Sequence, residues 1–507
     1  MAGLLSPDAV AGLQWALSAD ALTYCTLGVC LGMIVGVIPG VGVLASVALL
    51  MPLTFHLDHI TAIAMLAGIY YGSAYGGSTA SILLNLPGTE STAITALDGY
   101  PMAKKGKAGV ALFVTTIASF VGSVIGIVLL AGFAFPIAAL ALKFGSQEYF
   151  ALMVLGLVAA SMVSAATRMK SLVTIVLGVS IGLIGIDINS GVARHTFGIP
   201  SLYDGVSIVA VALGIFGLTE LIRSAGQREE KEITEKISFR NMLPTRMEMR
   251  QSWPAILRGS GIGSFFGALP GTGGAIASFV SYAVERRINR KPEKFGYGAI
   301  EGISGPEAAN NAAVQTSFIP TLTLGIPGNP VMALILGVLM VHGIAPGPQF
   351  LETNTEMFWG LVASFVIGNL ILLILNIPLI GIWTRILTIP YSILYPSIIG
   401  FLCIGVYSVS YAPAELYLLA GLGLVGHFMM VLGFPIPPLL IGIVLGPMIE
   451  ENFRRSMLLQ GGDVMGFFGK PFSAAILLLC IAIVVALPLA DLRARRRDRK
   501  ARANAKS

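Results

Sequence analysis

Two stretches of the chain concentrate short hydroxyl and amide side chains beside a Pro-Gly step. Ser78, Thr79, Ser81, Asn85, Thr89, Glu90, Ser91 and Thr92 surround Pro87 and Gly88, while Asn310, Asn311, Gln315, Thr316, Ser317, Thr321, Thr323 and Asn329 surround Pro327 and Gly328. Such groups donate hydrogen bonds to a carboxylate without bringing a full charge of their own, which suits a small anion held away from water. Isolated Ser and Thr more often bond back to their own helix, but this density beside a break favours a site. Glu90 and Glu307 are the nearest acids. An acid inside a membrane points to function unless it sits at a helix end near water. Arg194 and His195, in DINSGVARHTFGIPSLYDG, offer an anion contact or an ordinary loop contact, and His342 and His427 stand without metal-ligand company. No GxxxxGK[ST], GxSxG or HExxH occurs, so the chain lacks the core of an ATP-driven pump or a membrane hydrolase. It is expected to be no enzyme and to carry no cofactor.

The elements that hold these residues must lie in a bilayer. Of 507 residues 55% are hydrophobic and 11% charged, with a mean hydropathy of +0.83, whereas a soluble domain carries about a quarter charged residues. Ala108 to Leu142, Tyr149 to Thr167, Met357 to Thr384, Ile386 to Ala414 and Pro471 to Ala490 contain no Asp, Glu, Lys or Arg, and roughly 20 apolar residues suffice for a spanning helix. The fold expected is an all-α polytopic membrane protein with about 10–12 transmembrane helices plus re-entrant or broken ones. The net charge of +6 sits between apolar runs and in the Arg493 to Lys506 tail, the pattern of positive-inside topology, so no nucleic-acid partner is expected. Cys25, Cys30, Cys403 and Cys480 lie in apolar stretches and read as free thiols. Met1 to Asp20 lacks the basic residues of a secretory signal, and the N-terminus is expected to be retained.

One element occurs twice. GMIVGVIPGVG begins at Gly32 and GSFFGALPGTG at Gly263, so Gly32, Gly36, Pro39, Gly40 and Gly42 recur at the same spacing as Gly263, Gly267, Pro270, Gly271 and Gly273. Proline inside a helix costs about 3 kcal/mol, so Pro39-Gly40 and Pro270-Gly271 read as helix breaks or hairpin tips. For Gly32, Gly36, Gly263 and Gly267, spaced by four, close helix packing is an equal alternative. Asn85-Leu86-Pro87-Gly88 aligns with Gly325-Ile326-Pro327-Gly328 as a second pair of breaks. Broken helices in corresponding positions of two halves point to a transporter's binding site, where helix N-termini meet anions and freed carbonyls hold a coupling cation such as sodium; carbonyls near Asn85 and Gly325 are candidates. Lys and Arg flank the second copy of the repeated element but not the first, so the copies are expected to enter from opposite sides as inverted repeats. The domains expected are a membrane repeat over 1–223, a cytoplasmic polar linker over 224–257, a second repeat over 258–490 and a basic cytoplasmic tail over 491–507.

The doubled GxxxGxxPGxG, YGGSTASILLNLPGT and GPEAANNAAVQTSFIPTLTLGIPGNP resemble, over nearly the whole chain, the TctA-type large membrane subunit of the bacterial tripartite tricarboxylate transporters. The resemblance implies an elevator-like secondary transporter of the bacterial inner membrane. It would import citrate or another carboxylate with a cation, commonly sodium. It also implies two partners, a small TctB-type membrane subunit and a periplasmic TctC-type binding protein, and leaves a homo-oligomer open. Carried onto this chain, the motif positions are Pro39, Gly40, Gly42, Pro270, Gly271, Gly273, Asn85, Pro87, Gly88, Gly325, Pro327 and Gly328. The substrate is expected between Tyr75–Thr92 and Glu307–Asn329. A passive anion channel and a non-transporting scaffold or sensor are the alternatives.

Overall fold

A computed structural model describes residues 6–38, 41–86, 89–163, 168–187, 190–224, 239–386 and 391–485. Pro39, Gly40, Pro87 and Gly88 therefore lie outside the described residues, as do residues 225–238 of the polar linker and the basic tail. The described chain is helical almost throughout; a two-residue antiparallel ladder, Gly185 opposite Arg194 and Ile186 opposite Ala193, is the one sheet among these residues. Among the described residues four helical stretches are long and apolar enough to cross a membrane: Ala19–Val37, Ala93–Ala141, Thr355–Asn376 and Ala414–Val431. Six shorter apolar helices accompany them, among them Gly42–Thr54 and Pro330–Val341. Gly42–Thr54 and Pro330–Val341 each begin just beyond a Pro-Gly break, since a chain interrupted by Pro and Gly crosses in pieces. Large apolar side chains such as Val128, Phe133, Ile404, Phe428 and Val431 stay exposed on the outside of the bundle, as a lipid-facing surface requires.

The repeated element forms the same hairpin twice. The first arm, Ala19–Val37, is capped by Ser18 and ends at Ile38 in extended backbone, φ −72°, ψ 116°. Its counterpart, Arg246–Ala268, ends at Leu269 with φ −87°, ψ 126°. The return arms, Gly42–Leu50 and Gly273–Ile288, both begin on a glycine of positive φ, 72° and 65°. The second first arm starts well before residue 258, inside the stretch the composition marks as linker. Thr245 and Glu248 close a capping box there, each side chain bonding the other's backbone N–H.

Each hairpin lies against the broken stretch that follows it with main chain on main chain. A methyl group on Gly28, Gly32 or Gly36 would fall 2.4 Å from the carbonyl oxygen of Met65, Ile69 or Ser73. On Gly259 and Gly263 it would fall 2.1 Å from those of Gly305 and Ala309, and on Gly267 2.4 Å from that of Ala313. Gly36 and Gly267 thus lie inside their helices, a turn ahead of the breaks, as close-approach positions. Of the two readings open for them this is the packing one, because only glycine lets two helix backbones come this near.

The ends of the two halves meet crosswise. Phe55, at the open end of the first hairpin, stacks on His342, where the second half's crossing Pro330–Val341 finishes. At the open end of the second hairpin, Glu248 pairs with Lys107 at 2.8 Å, and the Tyr297 carbonyl accepts from Lys105 at 2.5 Å. Both lysines lie where the first half's broken crossing finishes.

Candidate binding site

The second pair of breaks is a matched pair of left-handed helix stops. His59–Leu84 ends at Asn85, φ 56°, ψ 23°, and Phe318–Leu324 ends at Gly325, φ 69°, ψ 20°. Glycine takes this conformation without strain and asparagine more readily than other side chains, which explains why these two stand at the matching positions. Beyond Gly325 the chain runs through Ile326, Pro327 and Gly328 to Asn329, whose Oδ1 accepts from Met332 N at 3.0 Å and caps Pro330–Val341. Asn329 Nδ2 donates to Tyr70 Oη at 3.0 Å. The tip of the second hairpin joins this break: the Gly271 N–H donates to the Gly328 carbonyl at 2.9 Å, Gly273 lies under Asn329, and Gly274 under Asn310 Oδ1.

Between the stops, four helices converge on one carboxylate. Glu307, on Glu301–Thr316, is fully buried. Its Oε2 accepts from Ser78 Oγ at 2.7 Å and from Ser119 Oγ at 3.4 Å, and its Oε1 from Thr95 Oγ1 at 2.6 Å. These hydroxyls come from His59–Leu84, Ala108–Ala141 and Ala93–Met102. Asn311, one turn along the same helix, donates from Nδ2 to Ser119 Oγ at 2.8 Å and to the Glu307 carbonyl at 3.1 Å. Asn311 Oδ1, both amide atoms of Gln315 and Asn310 Nδ2 are buried without a partner. Among the described residues no basic side chain pairs with Glu307. Buried polar groups are nearly always satisfied, so this run of unpartnered ones on the helix that carries Glu307 makes it the candidate stretch for a ligand. A narrow cleft beside it is lined by Tyr75, Ser78, Thr79, Leu112, Thr115, Thr116, Ser119 and Asn376, with no room for a water molecule.

The other expected residues divide. Ser81, Thr89, Ser91 and Thr92 bond one another around the first stop, with Ser81 Oγ to Thr92 Oγ1 at 2.9 Å. Thr316, Ser317 and Thr323 bond back to Ala312, Val314 and Ile319 of their own helices. Thr321 does so too, while also accepting from Gly328 N at 3.3 Å. Glu90 is exposed and takes no part in the hydrogen bonds around Glu307.

The model of the tripartite tricarboxylate transporter TctA family matches residues 22–441. This chain belongs to the TctA family. It is 46% identical over 485 residues, 96% of each chain, to an uncharacterized 52.8 kDa protein in the TAR-I ttuC' 3' region of Agrobacterium vitis. To an uncharacterized protein in the TAR-II ttuC' 3' region of the same organism it is 49% identical over 234 residues, 46% of this chain and 97% of that one. No solved structure matches the chain. Membership makes it a multi-pass membrane subunit of a transporter and not a member of an enzyme family.

Four polar groups of this TctA site were not singled out from sequence. Thr95 and Ser119 are single hydroxyls in ordinary-looking helices, and nothing local distinguishes them from the many that bond back to their own backbone. Asn369, which accepts from Tyr75 Oη at 3.3 Å, and Asn376, which lines the cleft, carry a readable signal. They are buried amides seven residues apart on one face of an otherwise apolar span, Thr355–Asn376. Arg194 keeps to the loop reading: its guanidinium pairs with Glu450 at 2.7 Å, beside Arg454 and Asp187.

Proposed function

We propose that this protein is the permease of a binding-protein-dependent secondary transporter that imports tricarboxylates or related carboxylates by symport with a cation, sodium. It works in the bacterial inner membrane with a small TctB-type membrane subunit and a periplasmic TctC-type binding protein. The observation that carries this reading is the matched pair of helix stops, Asn85 and Gly325, one in each half and flanking a buried polar cluster. Paired breaks in two halves are where secondary transporters hold substrate and ion. Hydroxyls, amides and the N-terminus capped by Asn329 supply donors for carboxylate groups. The cleft is too narrow for water, so an organic anion reaches it only when the surrounding helices move apart, which is what an elevator-type alternation of access provides.

The crosswise contacts support inverted repeats. If both hairpins opened to one side, Phe55 would lie with Glu248 and Tyr297. Instead Phe55 meets His342, while Glu248 and Tyr297 meet Lys107 and Lys105. The lysine-rich face is the cytoplasmic one. Single cysteines at His56 and Asn289 are expected to react with membrane-impermeant reagent from opposite sides; labelling from the same side would overturn the inversion.

The function is tested in proteoliposomes holding the permease with its small subunit and binding protein. Labelled carboxylate is expected to accumulate only with an inward sodium gradient, and Asn85→Ala to lower the rate at least tenfold with insertion intact. Uptake indifferent to every ion gradient would mean a channel, and no uptake of any acid a scaffold.

A further inference from the structure

We propose that Glu307, Ser78, Thr95, Ser119 and Asn311 form the binding site of the coupling cation, a sodium ion held between the two halves of the protein. The inference rests on the cation-coupled reading above and gives it a location. A lone carboxylate in a dry interior needs a compensating positive charge, and no side chain supplies one here. The oxygens of Ser78, Thr95 and Ser119 contact the carboxylate at 2.6 to 3.4 Å. They need separate only a little to surround a small ion, and each hydroxyl keeps lone pairs free for it.

Asn311 Oδ1 is the independent indication. It is fully buried, one turn from Glu307, held beside Ser119 by its own amide nitrogen, and without a partner. An amide oxygen of this kind is a metal-type acceptor left open. Apart from Asn311 Nδ2, the side-chain atoms meeting around the carboxylate are hard oxygens, the ligands of hard cations. One carboxylate balances a monovalent ion, whereas a divalent ion would leave a net charge buried. A proton would occupy one carboxylate oxygen and leave Asn311 Oδ1 unsatisfied. Ser78, Thr95 and Ser119 belong to the first half and Glu307 and Asn311 to the second, so an ion at this point ties the halves together.

The test is thermal melting of the purified full-length protein in detergent, titrated with sodium chloride against choline chloride at constant ionic strength. Wild type is expected to show a saturable rise in Tm. Glu307→Gln should abolish that response, and Ser78→Ala and Asn311→Ala should each weaken the apparent sodium affinity about tenfold or more. A wild-type Tm that follows pH but not sodium, or variants that keep the wild-type response, would overturn the site. Sodium-driven uptake surviving in Glu307→Gln would remove the site and leave the transport reading standing. A sodium response that depends on Glu307 without carboxylate uptake would do the reverse.

Discussion

Gly263→Ala is expected to cost this protein more stability than its size suggests. The added methyl would sit 2.1 Å from the Ala309 carbonyl oxygen and 2.6 Å from its Cα. Neither atom can turn aside, because both belong to a helix backbone. Overpacking of a core by a methylene costs about 1–3 kcal/mol when side chains can shift; with main chain on the far side the upper end or more is expected. Gly261, two residues away on the same helix, faces open space. Gly261→Ala should therefore leave the melting temperature in detergent unchanged or raise it, since alanine favours a helix by about 1 kcal/mol over glycine. Equal melting temperatures for the two variants would show that the glycine stripe is not what sets the approach of the helices.

Asp98→Ala should be as damaging, by the opposite route of leaving groups unpaired. Asp98 is fully buried, and its Oδ1 accepts from the backbone N–H groups of Gly296, Gly298 and Ala299 at 2.8, 2.7 and 2.8 Å. Its Oδ2 accepts from Tyr282 Oη at 3.0 Å. Gly296 and Gly298 have φ of 89° and 102°, which aims successive N–H groups into one concavity. Alanine would strand four donors, the three N–H groups and the Tyr282 hydroxyl, of which the buried ones cost about 1–3 kcal/mol each, and would detach the loop of the second half from the first. Asn keeps one acceptor of the same shape, so Asp98→Asn should be milder. Limited proteolysis between residues 289 and 300, alongside melting, measures this; an Asp98→Ala protein with wild-type melting and an uncut loop would contradict it.

Much of the architecture is legible because its signals are local. Proline and glycine mark breaks wherever they stand, hydropathy marks spans, and the doubled motif shows where the second half begins again. The close packing of Gly32, Gly36, Gly263 and Gly267 needed the partner helix to be seen, since glycine at intervals of four serves a break and a packing face alike. The early start of Arg246–Ala268 was hidden by charged composition, although the Thr245 to Glu248 pattern carries the capping signal. The cluster around Glu307 was legible only in part. Glu307, Ser78 and Asn311 stand in conspicuous stretches, but Thr95 and Ser119 gain meaning from tertiary folding alone. Asp98 carries no local signal in the sequence and gains its meaning only when the loop of the other half closes on it.

Along the glycine stripes main chain faces main chain across the paired helices, with the Thr316 hydroxyl added at Gly267. A side-chain interface can be repacked rotamer by rotamer and so offers many nearly equal arrangements. A backbone-on-backbone contact has none to offer, and it loses no rotamer entropy on forming. Each pair is therefore expected to move as one rod, with flexing taken up where the paired helices stop, at Asn85 in the first half and from Thr316 onward in the second.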